Sequence, residues 1–549
     1  MLNSFTEYLD QWNAQCPDKI WLKERNGDGV RDWSWAEAHR EINAIAAWQE
    51  QHLEGSGHRI GLLSKNRPHW YFADFGSIAA GNVVIPMFTT LAGETAEYVM
   101  SFTEMKMLIV GETENWDKVK PGLPKDIQLI CLPGVELEEE HLRWDDIVEP
   151  HRGSRPNYQC KPDDLVSLVF TSGTTGVPKG VMQTHTSNIV PVGRFSQAFG
   201  AEVGSRYFSY LPLSHIAERQ IVEGASLINC GEVHFNENMG TLLRDLPECR
   251  PDIMFGPPRV WEQLQQGIIA QFGSQEAIDA ALEADSEGVG KMIREKLGLD
   301  RASYLLTAAA PTPPALIHWY ERFGIRLLEG FGQTECMGPI VTDPNDRRVG
   351  SIGKPMPGVE IRLSEEDELQ VKAEGCSPGY YNMPEKTAET FVDGWVYTGD
   401  KVKVDEDGFY YITGRVKDYF KTIQGKFVAP TPMENIFAEN PHTEQICLLG
   451  RGYSKTVMTC VLSELAKKLP KEDIEKVLRE QVDAVNAEVE KHARIGAVVV
   501  STEPWTIDNN ILTPTMKIRR ERVEELFGER SAELARESAQ QGKIFVEWI

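Results

Sequence analysis

Residues 165–185 read LVSLVFTSGTTGVPKGVMQTH. Leu165 to Phe170 is an apolar run with β-branched residues, the composition of a buried strand. Thr171 to Lys179 consists almost wholly of Thr, Ser, Gly, Pro and Lys, and a second short apolar run occupies Gly180 to Met182. Glycine lets a backbone come close to an anion with its amides forward. The hydroxyls of Thr171, Ser172, Thr174 and Thr175, together with Lys179, add donors and positive charge, and Gly173 and Gly176 supply the bends. The turn therefore suits phosphate oxygens. It is not the GxxxxGK[ST] loop, because Pro178 stands where a count from Gly173 requires glycine. No helix follows directly, so a helix N-terminus is not implied as the anion holder. A loop of this kind needs partners from elsewhere in the chain.

The flanking sequence alternates strand-like and helix-like runs. Arg59 to Leu63, Val83 to Met87 and Met107 to Val110 read as strands, and Tyr71 to Ala80 and Thr95 to Phe102 as helices. The alternation predicts an α/β fold with largely parallel sheets. At 549 residues the chain exceeds one core, so two or more domains are expected. A boundary is set close to Val416, giving a large N-terminal domain of layered sheets and helices, 1–415, and a small mobile C-terminal α/β domain, 416–549. The small domain carries strands Gln445 to Leu449, Val457 to Val461 and Ala497 to Val500, and a helix Lys471 to Val489.

Composition narrows the function. No apolar run reaches the ~18 residues a membrane helix needs, and the N-terminus, MLNSFTEYLDQW, lacks the basic start and apolar stretch of a secretory signal. It reads instead as an amphipathic helix with Phe5, Leu9 and Trp12 on one side. Nine cysteines scattered without CxxC spacing point to reduced thiols in a cytoplasmic compartment and to no structural zinc. A net charge of −25 argues against a nucleic-acid partner. From Val416 onward there are 19 basic and 21 acidic residues, so nearly all of the excess lies in the first 415.

Further segments offer chemistry. Tyr207 to His215 is an aromatic run that delivers His215 next to Glu218 and Arg219; a lone histidine serves packing as readily as a pocket. LLTAAAPTPP, Leu305 to Pro314, is a strand running into small residues that let backbone approach something flat, or simply a tight turn. In IRLLEGFGQTECMG, Ile325 to Gly338, Phe331 between glycines can present a ring face, Thr334 can donate to a phosphate and Glu335 can hold Mg²⁺, which takes oxygen ligands. Asp400, closing DGWVYTGD, can accept from a pair of sugar hydroxyls or cap a turn. GRVKDYFKTIQGKFVAPTPME, Gly414 to Glu434, is basic and broken by glycine and prolines. Lys517 lies in LTPTMKIRR, just after a Thr/Pro turn.

TSGTTGVPKG, GFGQTE, DGWVYTGD, GRVKDYFKTIQGK and LTPTMKIRR occur in one order over most of the chain. Together they resemble the adenylate-forming superfamily, which includes acyl-CoA synthetases, luciferases and the adenylation domains of peptide synthetases. Within it, LPLSHIAER, FGPPRVWE, GKFVAPTPMEN and LTPTMKIRR are similar to long-chain fatty acyl-CoA synthetases. The resemblance implies a two-step, AMP-forming ligase using ATP, Mg²⁺ and coenzyme A: a fatty acid carboxylate attacks the α-phosphate, then the CoA thiol displaces AMP. An acyl-AMP ligase serving a carrier protein, and a medium-chain or aryl acid CoA ligase, are its alternatives.

By position, the resemblance assigns Thr171 to Lys179 to the β- and γ-phosphates. Ala309, Ala310, Gly330 and Phe331 go to adenine, Thr334 to the α-phosphate, Glu335 to Mg²⁺, and Asp400 and Arg415 to the ribose. His215 lines the acyl carboxylate site and Lys517 bridges carboxylate and phosphate. Lys417 is the hinge of a rotating small domain, on which Lys421 and Lys426 face the site for the thioester step. The substrates are small molecules, and a lipid-partitioning acid is compatible with loose, peripheral contact with a membrane. Two positions depart from the pattern: Phe331 replaces the commoner Tyr, and Arg219 stands where some long-chain members carry a bulky aromatic gate.

Overall fold

The strand runs of the first 355 residues resolve into two sheets in a computed structural model that describes residues 1–27, 29–171, 177–513 and 516–549. One sheet has seven strands in the order Leu142–Arg143, Gln128–Cys131, Met107–Gly111, Arg59–Ser64, Val83–Met87, Leu165–Thr171, Lys179–Thr184. Its pairs run parallel up to Leu165–Thr171, which turns back in an antiparallel hairpin to Lys179–Thr184. The central strands are buried along their whole length, the near-continuous apolar pattern of a sheet covered on both faces. The second sheet has nine strands, with Arg206–Ser209, Glu232–Phe235, Ile253–Gly256, Tyr304–Thr307 and Leu327–Gln333 at its centre. Antiparallel strands close both ends, Gly29–Ser34 at one and Cys336–Val341 with Lys354–Pro355 at the other.

Local chemistry sets the helices between these strands. Ser4 caps helix Phe5–Gln15 by accepting from the Glu7 amide, and the helix buries Phe5, Tyr8, Leu9 and Trp12, the side expected from its spacing plus one tyrosine. Ser34 and Glu37 form a reciprocal capping box at the start of Trp35–His52. That cap places Trp35 flat on Trp21, with ring centroids 4.1 Å apart and planes 5° from parallel. Both indoles are fully buried, and Trp21 Nε1 donates to Ser226 Oγ at 3.2 Å.

Tertiary contacts divide the chain into two units. The first comprises Met1–Thr312, Leu316–Ile361 and Gln370–Tyr397; the second comprises Pro313–Ala315, Arg362–Leu369 and Thr398–Ile549. Within the second unit, strands Thr443–Leu449, Thr456–Leu462, Ile495–Ser501 and Phe545–Trp548 form a four-stranded sheet. Side-chain alternation decides its layers. Val498 and Val500 pack with Ile474, Leu478, Val482 and Val485 of helix Lys471–Glu488. Ala497 and Val499 pack with Val523, Phe527 and Leu534 of helix Arg520–Gln541. Successive strand residues point to opposite faces, so one helix covers each face. The α/β class expected from the sequence is the class observed.

The Trp21–Trp35 stack is a well-filled position with no solvent to relax into. Trp21→Ala should lower the unfolding free energy by ~3–5 kcal/mol, read as a shift of the urea midpoint followed by circular dichroism. A midpoint within experimental error of the wild type would mean that the stack is not a stabilising contact.

Candidate functional site

Strand Lys179–Thr184 is where the site begins. In the hairpin with Leu165–Thr171 the residues Thr171 and Lys179 stand directly opposite each other, so both ends of the polar loop are fixed by the ladder. Ser172, Gly173, Thr174, Thr175 and Gly176 lie outside the described residues. The other edge of the same strand is also occupied. Val181 bridges Tyr380, the Met182 amide donates to the Gly379 carbonyl at 2.9 Å, the Tyr381 amide donates to the Gly180 carbonyl at 2.9 Å, and Ser377 Oγ donates to the Met182 carbonyl at 2.8 Å.

Thr334 and Glu335 form the two-residue tip of a second hairpin, since Gln333 pairs with Cys336 across strands Leu327–Gln333 and Cys336–Val341. The tip is held from the first hairpin's side. Gln183 Nε2 donates to the Thr334 carbonyl at 2.8 Å, and the Ser377 amide donates to the Glu335 carbonyl at 2.8 Å. Tyr380 then joins the two hairpins. Its hydroxyl donates to Glu335 Oε1 at 2.7 Å and accepts from Lys179 Nζ at 3.1 Å, while the ammonium also lies 4.3 Å from the centre of the Tyr380 ring. Tyr380 is 3% exposed. Burial, and then the neighbouring carboxylate, push its phenol well above the ordinary value, so it remains a proton donor to Glu335.

A lysine, a buried phenol and a half-buried carboxylate on a rigid tip make a cation-and-anion clamp. Among the described residues no group of three His, Cys, Asp or Glu side chains is placed to hold a metal ion. Glu335 offers a single carboxylate, one oxygen of it held by Tyr380. That donor set fits Mg²⁺, which keeps several waters and completes its shell with phosphate oxygens rather than a protein cage.

The residues expected at adenine lie on or just after two paired strands. Ala309 and Ala310 are exposed after strand Tyr304–Thr307, and Ala309 has φ +72°, a left-handed backbone that alanine seldom adopts. Phe331 is 7% exposed, so most of its ring is in the core, with half-buried Gly330 and exposed Gly332 on either side.

His215 is half-buried and caps the short helix Ile216–Glu218, its Nδ1 accepting from the Ala217 amide at 3.2 Å. Behind it lies a charged cluster inside the core. Glu218 accepts from Ser209 Oγ at 2.8 Å and from the Tyr210 amide at 3.1 Å, and burial pushes its carboxyl up to about 8 despite those donors. Arg219 Nη2 donates to both oxygens of fully buried Asp74, each at 2.9 Å, and Glu223 lies 3.6 Å from Nη1. Arg219 to Gly224 forms a turn of π-helix. An arginine gripped in this way is a fixed part of the core and not a swinging gate.

The second unit brings Asp400 and Arg415 together as cross-strand neighbours of strands Trp395–Val404 and Tyr410–Arg415, with Arg415 Nη1 3.1 Å from each Asp400 oxygen. Asp400 is buried and Arg415 exposed. Lys417 is exposed in the turn that follows. Exposed Lys421 lies over the Phe427 ring, 4.7 Å from its centre, on a short hairpin that also carries exposed Lys426. Lys517 is exposed at the end of a loop closed by Thr513, whose amide donates to the Lys517 carbonyl at 2.8 Å and whose Oγ1 accepts from the Lys517 amide at 3.0 Å.

Sequence reasoning missed Tyr380, Gln183 and Ser377. Tyr380 sits in GYYNMP, a glycine- and proline-flanked aromatic stretch like many turns. Its position opposite Val181 becomes visible only when the third segment is laid on the hairpin.

Profiles of known families match most of the chain: the AMP-binding enzyme family over residues 9–380, and the AMP-binding enzyme C-terminal domain over residues 417–534. A long-chain-fatty-acid–CoA ligase of Mycobacterium bovis, FadD15, is 28% identical, the match covering 93% of each chain. Human long-chain-fatty-acid–CoA ligase 1 is 28% identical over 85% of this chain and 77% of its own length. Among solved structures, the anthranilate CoA ligase AuaEII in complex with anthranoyl-AMP superposes with a TM-score of 0.80 at 21% identity, covering 96% of this chain and 98% of that one. The A domain of a carboxylic acid reductase from Segniliparus rugosus, in complex with AMP and a co-purified carboxylic acid, has a TM-score of 0.80 at 22% identity, covering 97% and 94%.

Glu218 gives the site a measurable pH dependence. Its folded-state value of about 8 lies above the unfolded value of 4.5, so between those limits the folded chain binds the extra proton and stability falls as pH rises. Glu218→Gln removes that titration. The wild type should therefore lose stability relative to Glu218→Gln on going from about pH 5 to about pH 9, in paired urea unfolding curves; a constant difference would mean that Glu218 titrates normally.

Proposed function

The chain belongs to the AMP-binding enzyme family, and on that premise we propose that it activates a long-chain fatty acid with ATP and passes the acyl group to coenzyme A. Support for the substrate class comes from relatives named as long-chain-fatty-acid–CoA ligases that align over most of this chain. The observation that carries the reading is the link from Lys179 through Tyr380 to Glu335, which ties the phosphate-type loop to the metal-type carboxylate across two hairpins.

The chemical problem is the approach of two anions. A carboxylate oxygen must attack the α-phosphorus of ATP, forming acyl-AMP and releasing pyrophosphate; the CoA sulfur then attacks the acyl carbon and AMP leaves. Alignment of the reactants and donors aimed at the developing charge are what lower such barriers. In this reading Thr171 to Lys179 hold the β- and γ-phosphates, and Thr334 donates to the α-phosphate. Glu335 would hold Mg²⁺, which when bound neutralises charge on the phosphates. Tyr380 fixes the carboxylate of Glu335 and the ammonium of Lys179 with one hydroxyl, so that neither group has to be ordered when the nucleotide arrives.

Ala309, Ala310, Gly330 and Phe331 take the adenine, Asp400 with Arg415 the ribose, and His215 lines the acyl carboxylate site. Lys517 bridges carboxylate and α-phosphate in the first step. The boundary we propose is 415/416, with Lys417 as the hinge and Lys421 and Lys426 on the face used for thioester formation. A lysine needed in only one of two steps suits an exposed loop on a domain that moves between them. The location we propose is cytoplasmic, with loose contact to the lipid surfaces into which the acid partitions.

Tyr380→Phe keeps the ring under Lys179 and deletes only the hydroxyl. It should lower the adenylation rate about tenfold or more, the loss of a hydrogen bond to a charged group, while the CoA step from supplied acyl-AMP changes little. Equal losses in both steps would count against the clamp.

Lys517→Ala should cut fatty-acid-dependent pyrophosphate release by about 10²-fold or more and leave ATP binding near the wild-type level; an unchanged release rate would sink its assigned role. CoA-dependent AMP formation across a series of acids should peak at long acyl chains. Turnover with aryl or medium-chain acids alone, or loading of a carrier protein without acyl-CoA, would replace the substrate reading.

A further inference from the structure

Two cysteines far apart in the sequence meet in the first unit. Cys16 ends helix Phe5–Gln15, its amide donating to the Trp12 carbonyl. Cys230 sits between helix Ala225–Ile228 and strand Glu232–Phe235. Their sulfurs are 3.1 Å apart, inside the contact distance of unbonded sulfur atoms. The surroundings hold them there. Trp12 Nε1 donates to the Leu227 carbonyl at 2.7 Å, and Lys19 Nζ donates to the Cys230 carbonyl at 2.9 Å while lying 3.9 Å from its sulfur. Cys230 has φ +48°, a left-handed backbone that aims its side chain back at the helix end instead of along the following strand. A packing role would ask only for two small apolar groups. It would not ask for a lysine beside the sulfurs or a strained backbone at one of them.

We propose that Cys16 and Cys230 form a redox-modification site, a dithiol that closes to an intramolecular disulfide under a low-molecular-weight disulfide oxidant. Closure to a bonded S–S distance of about 2.05 Å needs a movement of roughly 1 Å, which side-chain torsions can supply. Cys16 is the entry point because it is half-buried, whereas Cys230 is 1% exposed. Burial pushes the Cys230 thiol up to about 12, which fits Cys230 as the second reactant, not the first. The Lys19 ammonium, 3.9 Å from Cys230 Sγ, opposes the rise of that thiol without reversing it.

The exchange balances as follows. The Cys16 thiolate attacks one sulfur of oxidised glutathione, a mixed disulfide forms, and one glutathione thiolate leaves. The Cys230 thiol gives its proton to water, and its sulfur attacks Cys16 Sγ, releasing the second glutathione. Two protein thiols are oxidised by two electrons, and one disulfide is reduced to two thiols. The product ties the N-terminal helix to the segment that runs from His215 into the nine-stranded sheet.

The test uses the full-length protein equilibrated with oxidised glutathione, then alkylated under denaturing conditions and digested with trypsin. The two residues fall in different peptides, Met1–Lys19 and Gln220–Arg244, each with a single cysteine. The expected result is a cross-linked pair of these peptides, two hydrogens lighter than their sum. It should be absent from Cys16→Ser and be reversed by dithiothreitol. Its appearance should be accompanied by a melting temperature several degrees higher, because the bond closes a long loop. Full alkylation of both residues, a stable glutathione adduct on Cys16 with no cross-link, or a cross-link to some other cysteine would each overturn the proposal. Cys16 lies at a half-buried helix end, so Cys16→Ser is expected to fold, and the wild-type peptide map does not depend on it.

Discussion

One strand, Lys179–Thr184, is hydrogen-bonded on both of its edges, and the polar chemistry of the first unit depends on that. On one side it completes the hairpin that carries the glycine-rich loop. On the other it receives residues 377–381, which bring Tyr380. From its middle, Gln183 reaches the hairpin tip at Thr334. A lone polar loop would order its donors at the moment of binding and lose conformational entropy in doing so. Here the ladder holds the loop's ends, and side chains from three segments, Lys179, Glu335 and Tyr380, are linked by hydrogen bonds. Such networks rigidify a site when every member has a partner.

How much of this was legible beforehand follows from the range of the signal. Strand Val83–Met87 and three strands of the four-stranded sheet, Thr443–Leu449, Thr456–Leu462 and Ile495–Ser501, are written in local apolar runs and match the structure within a residue or two, whereas its fourth strand, Phe545–Trp548, is not marked by such a run. Thr334 and Glu335 were picked out by composition, a hydroxyl and a carboxylate after glycines. That they are the tip of a two-residue hairpin depends on strand pairing and was not readable. Tyr380 was invisible for a different reason. Its role comes from a meeting of Lys179, Glu335 and its own hydroxyl, and no periodicity encodes a contact among three distant segments. Arg219 marks the opposite limit. Its residue type suggested a missing gate, whereas its burial against Asp74 makes it part of the core.

Burying Asp74, Arg219, Glu218 and Glu223 together runs against the rule that ions stay in water. Desolvation raises the carboxyl of Asp74 even though Arg219 opposes the shift, and it raises Glu223 as well. A buried cluster of this kind seldom adds net stability over apolar packing, yet removing one partner from it leaves an uncompensated charge. Two of its members, Arg219 and Glu223, lie on the turn of π-helix that follows His215, Glu218 ends the short helix before that turn, and Asp74 reaches it from helix Pro68–Ala79. The residue implied by resemblance to face the substrate therefore stands on backbone whose geometry is fixed by charge pairing, and not by apolar packing alone.

The two-residue tip at Thr334–Glu335 also sets limits on change by insertion or deletion. Side chains on a strand alternate faces, so one residue added between Gln333 and Cys336 would shift the register and turn the following side chains to the wrong side of the sheet. The carbonyls now taken by Gln183 and Ser377 would lose their partners in the same step. Positions along this hairpin other than Gly330, Phe331, Thr334 and Glu335 are open to drift, but its length is not. Over evolutionary time the strands flanking the tip should vary in spelling while keeping their count, with length variation displaced to surface connections that no second segment grips.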